Sequence, residues 1–137
     1  VGDSVMFLLA TPDVEEGKTI RVTGFAADNK KKTELRLIGA RTYNRKNFGG
    51  AALMGWQSSN GDDLDPHQQP SADLVGSTLK GMGDPDSFVM VEFTVCAAGT
   101  HTISELYIEY EYASHTYKQT LKVAFEVRDA SPGIPCP

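Results

Sequence analysis

Between Glu105 and Val127 the chain reads ELYIEYEYASHTYKQTLKVAFEV, and two-residue alternation on both sides of a polar break leaves an antiparallel β-hairpin as its natural fold. Leu106, Ile108, Tyr110 and Tyr112 share one parity, while Tyr117, Leu121, Val123, Phe125 and Val127 share the other. Both sets reach one core only if each pair of opposed residue numbers adds to an odd sum. A reversal at Ser114-His115 meets this condition. It sets Tyr112 beside Tyr117, Ile108 beside Leu121 and Leu106 beside Val123, with Glu111 beside Lys118 and Tyr107 beside Lys122 on the other face. Ser-His suits a tight two-residue turn poorly, so a four-residue loop flanked by Ala113 and Thr116 is expected. The hairpin reads as scaffold.

Five further runs carry the same signature: Ser4–Ala10, Thr19–Ala27, Glu34–Tyr43, Ala72–Leu79 and Ser87–Cys96. Turn residues such as Pro12-Asp13, Asp28-Asn29, Asn60-Gly61 and Gly83-Asp84-Pro85 separate them. No stretch of a dozen residues shows a capped helical period. With the hairpin's two strands, the pattern predicts an all-β antiparallel sandwich of about seven strands, with no substantial helix. At 137 residues, the chain is expected to form a single domain over 1–137, with a long loop or insertion at 47–73 and a proline-rich tail at 129–137.

A formal net charge of −5 lacks the basic surplus that phosphate neutralisation needs, so no nucleic-acid partner is expected. No run approaches the roughly 18 apolar residues of a membrane span. The chain opens on Val1, which reads as a processed or trimmed product. The absence of an Asn-x-Ser/Thr sequon leans toward a bacterial source.

The two cysteines bear on compartment. Cys96 has the parity of Glu92 and Thr94, away from Val89, Val91, Phe93 and Val95, and Cys136 lies in the tail ASPGIPCP. Three prolines stop that tail from extending a sheet, and a Cys96–Cys136 disulfide would fasten it. The bond would close about 40 residues and contribute roughly 4 kcal/mol on the loop-entropy model. It implies an oxidising, extracytoplasmic home; the alternative is two free thiols in a reducing one.

Charge is uneven along the chain. Residues 1–50 carry nine Lys/Arg against six Asp/Glu, whereas residues 51–90 carry one Lys against six Asp. The segment NFGGAALMGWQSSNGDDLDPHQQPSAD, Asn47 to Asp73, is therefore the principal candidate for a binding loop, the bland reading being a variable insertion. Trp56, with Phe48 and Gln57, is its candidate ligand contact; Trp56 is otherwise a core anchor. Asp62, Asp63, Asp65 and His67 supply metal-ligand types, but their spacing departs from the EF-hand loop, and a solvated acidic loop explains them as well. Lys30, Lys31 and Lys32, with Arg36, Arg41, Arg45 and Lys46, form either a solvated turn or a contact for an anionic surface. No nucleophile elbow, paired-histidine motif or phosphate-cradling glycine loop is present, so neither an enzyme nor a cofactor is expected.

The pieces GDSVMFLLA, TIRVTGF, ELRLIGARTY and ISELYIEYEYASHTYKQTLKVAFEV resemble small extracytoplasmic domains of actinobacterial membrane-anchored proteins of uncharacterised function. In that group a tyrosine-rich late hairpin precedes a terminal Cys. The resemblance implies an immunoglobulin-like sandwich that is secreted or membrane-anchored, and it carries no functional residues. The expected role is a non-catalytic interaction domain whose partner is a protein, a wall polymer or a small ligand. The alternatives are an accessory β-domain supporting a neighbour and a metal-binding protein using the 60–67 loop.

Overall fold

The computed structural model describes residues 4–10, 18–27, 34–50, 52, 55–58, 65–80 and 86–130, with no side-chain account of the last two. Its strands are β1 (Ser4–Leu9), β2 (Thr19–Ala27), β3 (Leu35–Asn44), β4 (Gly55–Gln57), β5 (Ser71–Asp73), β6 (Thr78–Lys80), β7 (Ser87–Val95), β8 (Gly99–Tyr112) and β9 (His115–Ala130). They form two antiparallel sheets, one ordered β4-β1-β7-β3-β5 and the other β6-β2-β8-β9. The fold is an all-β sandwich. Its helical pieces among the described residues are short 3-10 turns, among them Arg45–Phe48 and Pro66–Gln68, and no helix there is long and apolar enough to cross a membrane.

Alternating apolar residues from both sheets fill the central core. Val5, Val91, Phe93 and Val95 from one sheet meet Val22, Leu106, Ile108 and Leu121 from the other. Phe7 joins the layers, stacking on Phe125 with ring centroids 4.5 Å apart and meeting Phe93 edge-on at 6.2 Å. The register of β3 against β7 shifts between Leu37 and Gly39. That irregularity turns Ile38 outward, where it is 58% exposed despite its apolar side chain.

The long hairpin forms, but two residues out of the expected register. Tyr110 faces Tyr117, Ile108 faces Gln119, Leu106 faces Leu121 and Tyr112 faces His115. The reversal is therefore a two-residue turn at Ala113-Ser114, with φ of 50° and 67°, the left-handed pair that a type I′ hairpin turn requires. A slip of two preserves every side chain's face, so the inward and outward sets stay as expected. It also preserves acid–base pairing. Lys118 now meets Glu109 and Lys122 meets Glu105, because Glu and Lys recur at even spacing along both strands. The outer edge of β9 pairs with no strand among the described residues, and its lysines and register shifts are devices that discourage edge-to-edge association.

The run Ala72–Leu79 is not one strand. β5 adds to the edge of β3 in one sheet and β6 adds to β2 in the other. Between them Leu74 is buried in the core and Gly76 takes φ 94°, a left-handed conformation that strains any residue with a Cβ. Backbone bonds from Leu74 N–H to Ala40 O (2.9 Å) and from Gly76 N–H to Val22 O (2.7 Å) strap the sheets together. Ser77 O accepts in turn from Val22 N–H at 3.0 Å.

Candidate functional site

Strand β7 is buried on both faces at its start: Phe88, Val89, Met90 and Val91 are all inaccessible. Val89 and Val91 belong to the central core. Phe88 and Met90 point the other way, into a second apolar cluster with Met6 and Tyr43, against which Leu8, Phe48, Ala52 and Trp56 pack. This cluster lies on the outer face of the five-stranded sheet, a surface that would otherwise face water. Phe48, Ala52 and Trp56, from the chain between β3 and β5, help to cover it.

Two short pieces of that segment are well fixed. In the first, Arg45–Phe48, Asn44 Oδ1 accepts from Lys46 N–H at 3.0 Å, and Arg45 N–H donates to Asp86 O at 2.9 Å. Phe48 then lies edge-on to Tyr43 and Phe88, with centroids 5.6 and 5.1 Å away. In the second, Asp65 caps the turn through His67 N–H at 2.9 Å, with Pro66 at its start. Between them, β4 brings Trp56 beside Met6.

His67 fastens the second piece to the sheet. Its Nδ1 lies 2.8 Å from Asp65 Oδ1 and its Nε2 lies 2.7 Å from Glu92 Oε2, while its ring meets Trp56 edge-on at 5.2 Å. Glu92 also accepts from Ser4 Oγ at 2.5 Å. Partial burial opposes charge on the imidazole. The hydrogen bonds and negative charges of Glu92 and Asp65 outweigh it, so the pKa of His67 is raised above 6.5. With a carboxylate at each nitrogen, the protonated ring can donate to both. Burial, with the charge of Glu92 nearby, raises the pKa of Tyr43, so that phenol stays neutral beside Ser71.

The sequence-derived candidates divide accordingly. Phe48 and Trp56 pack the outer cluster, each half-buried, with Gln57 half-buried beside them. Asp65 and His67 come together, joined by Glu92, which lies far away in sequence. Asp62 and Asp63 lie outside the described residues, as do Lys30, Lys31, Lys32 and Cys136. Among the described residues, no three His, Cys, Asp or Glu side chains are arranged to hold a metal ion. Arg41 is paired with Asp73 at 2.5 Å. Cys96, just beyond β7, is buried, and its N–H donates to Glu34 O at 2.7 Å. The indole N–H of Trp56 and Nε of Arg45 are buried with no hydrogen-bond partner among the described residues.

Sequence reasoning passed over Glu92, Tyr43 and Ser4. The available signal was the unbroken apolar run Phe88-Val89-Met90-Val91, which marks a strand covered on both sides.

The fixed segment leaves a cleft of about 700 Å³ beside it. One wall holds Thr42, Tyr43, Asn44, Lys46 and Asn47; the other holds Pro70, Ser71, Ala72, Ser77, Thr78 and Leu79, with Ser87 between them. Its lining is rich in hydroxyl and amide groups, and among the described residues Lys46 is its one cation and no carboxylate side chain lines it. On the far sheet an apolar trough of about 410 Å³ runs past Gly24, Phe25, Tyr107 and Gln119.

No protein-family model, curated protein or solved structure matches this chain.

Proposed function

We propose that this protein is a non-catalytic extracytoplasmic interaction domain, immunoglobulin-like in its sandwich, whose ligand binds on the outer face of the five-stranded sheet. The single observation that carries this reading is the second apolar cluster. Met6, Phe88 and Met90 hold Phe48, Ala52 and Trp56 against the sheet, so described parts of a polar stretch of the sort usually left as a loose loop become a fixed surface with a cleft beside it. Preorganised polar groups over an apolar floor suit binding, since little ordering remains to be done when the ligand arrives. The non-catalytic part rests on hydrogen-bond direction. Ser4 donates to Glu92 rather than to His67, and both nitrogens of His67 face carboxylates, so no nucleophile–base pair is assembled there. The reading includes a Cys96–Cys136 disulfide, which would form in an oxidising compartment.

A thermal-shift screen against oligosaccharides, wall-polymer fragments and peptides tests the reading, with hits mapped by amide chemical shifts. A ligand at 100-fold its Kd stabilises the folded state by about 2.7 kcal/mol, a plainly measurable rise in Tm for a domain of this size. Hits mapping to residues 42–48 and 65–79 support the proposal. Hits confined to the Tyr107 trough contradict it.

A further inference from the structure

The cleft between the Arg45–Phe48 turn and the β5–β6 strap narrows the ligand further. We infer that it binds an anionic oligosaccharide, whose rings lie along the hydroxyl and amide walls and whose negative group meets Lys46. The inference rests on the binding reading above and assigns its site and ligand class.

Charge sorting is the first argument. The chain is acidic, and residues 51–90 hold six Asp against one Lys, yet the described residues that line the cleft include a lysine and no carboxylate side chain. Three acids of the same face are engaged elsewhere. Asp73 is held by Arg41 at 2.5 Å, and Asp65 and Glu92 close on His67. Among the described residues Lys46 is thus the charge that a ligand in the cleft meets, and a mouth of one sign concentrates ligands of the other.

The second argument is the kind of polar group on offer. Asn47, Thr78 and Ser87 are short, neutral side chains that both donate and accept, the repertoire that sugar hydroxyls match. Leu79 and Tyr43, both buried, close the base of the cleft and hold its walls in place. An apolar ligand would leave those polar walls unsatisfied.

Rigidity is the third. Gly50 N–H donates to Arg45 O at 2.9 Å and Ser77 N–H to Leu74 O at 3.0 Å, while the Ser77 hydroxyl bonds to Asp73 O. Both walls are therefore set before a ligand enters.

The test is an amide chemical-shift titration of the labelled full chain with a uronic-acid tetrasaccharide, a neutral tetrasaccharide and inorganic phosphate. The expected result is saturable shifts at Asn44, Lys46, Asn47, Ser77 and Thr78 with the acidic sugar. Lys46→Ala should weaken that binding about tenfold, Lys46→Arg should retain it, and Asn47→Ala, on the same wall, should weaken it without removing charge. Equal binding of the neutral sugar, unaffected by Lys46→Ala, overturns the anionic assignment. Phosphate reproducing the shifts at the same affinity overturns the oligosaccharide. Shifts gathered around Trp56 overturn the cleft but leave the outer-face reading standing. Shifts confined to the Tyr107 trough overturn both, and no response to either sugar overturns the ligand class alone.

Discussion

Met90→Ala isolates the feature on which the functional reading depends. Met90 stands on the outward parity of β7 and is 0% exposed, in the cluster that Phe48, Ala52 and Trp56 pack against. The substitution removes three heavy atoms, Cγ, Sδ and Cε. At about 0.8 kcal/mol for each methylene-sized group the transfer loss is about 2.4 kcal/mol, and an unfilled cavity adds to it. The expected destabilisation is thus about 2–4 kcal/mol, a large part of the roughly 5–15 kcal/mol that holds a domain together. Urea denaturation read by far-ultraviolet circular dichroism measures it, provided the m-value is unchanged between the two proteins. A side chain left on a bare sheet face would cost within about 0.5 kcal/mol when truncated. A loss that small would refute the covered face, and with it the preorganised cleft.

Other consequences are open to measurement. Because the folded pKa of His67 is raised above its unfolded value, its contribution to stability is complete below about pH 6.5 and is lost as pH rises through the folded pKa. The groups facing it are Asp65, Glu92, Ser4 through Glu92, and the Trp56 ring. Urea midpoints should therefore fall between pH 6 and 8.5 by more in the wild type than in His67→Gln; parallel curves would remove the imidazolium from the account. Replacing Ala113-Ser114 by Asn-Gly relieves two left-handed residues and should stabilise the hairpin by about 1 kcal/mol, whereas an unchanged urea midpoint would contradict the turn assigned here. Intact mass should rise by about 2 Da on reduction for the Cys96–Cys136 bond; two titratable thiols beforehand would remove it.

Strand positions were largely legible because alternation and burial have the same period. Thr19–Ala27 was read to the residue, and Ser4–Leu9 and Ser87–Val95 to within one. The hairpin register was not, since slipping by two residues leaves both the apolar and the charge patterns satisfied. The left-handed turn at Ala113-Ser114 decides between the alternatives, and neither residue advertises it. Ala72–Leu79 misled for a different reason. Leu74 and Leu79 are both buried, but the chain changes sheets between them at Gly76. The outer site depends on Glu92 meeting His67 across 25 residues. No local pattern encodes such a meeting, although the double-sided burial of β7 pointed to the surface on which it occurs.

A nuclear Overhauser spectrum of the aromatic and methionine methyl protons tests the central claim most directly. Phe48 lies 5.1 Å from Phe88 and 5.6 Å from Tyr43 between ring centroids, and Trp56 sits beside Met6 across β1 and β4. The account predicts cross-peaks among the Phe48, Phe88 and Tyr43 rings and between the Met6 methyl and the Trp56 indole. A Phe48 ring with random-coil shifts and no cross-peak to Phe88 would mean that the segment does not cover the sheet, and the outer face would then carry no built site.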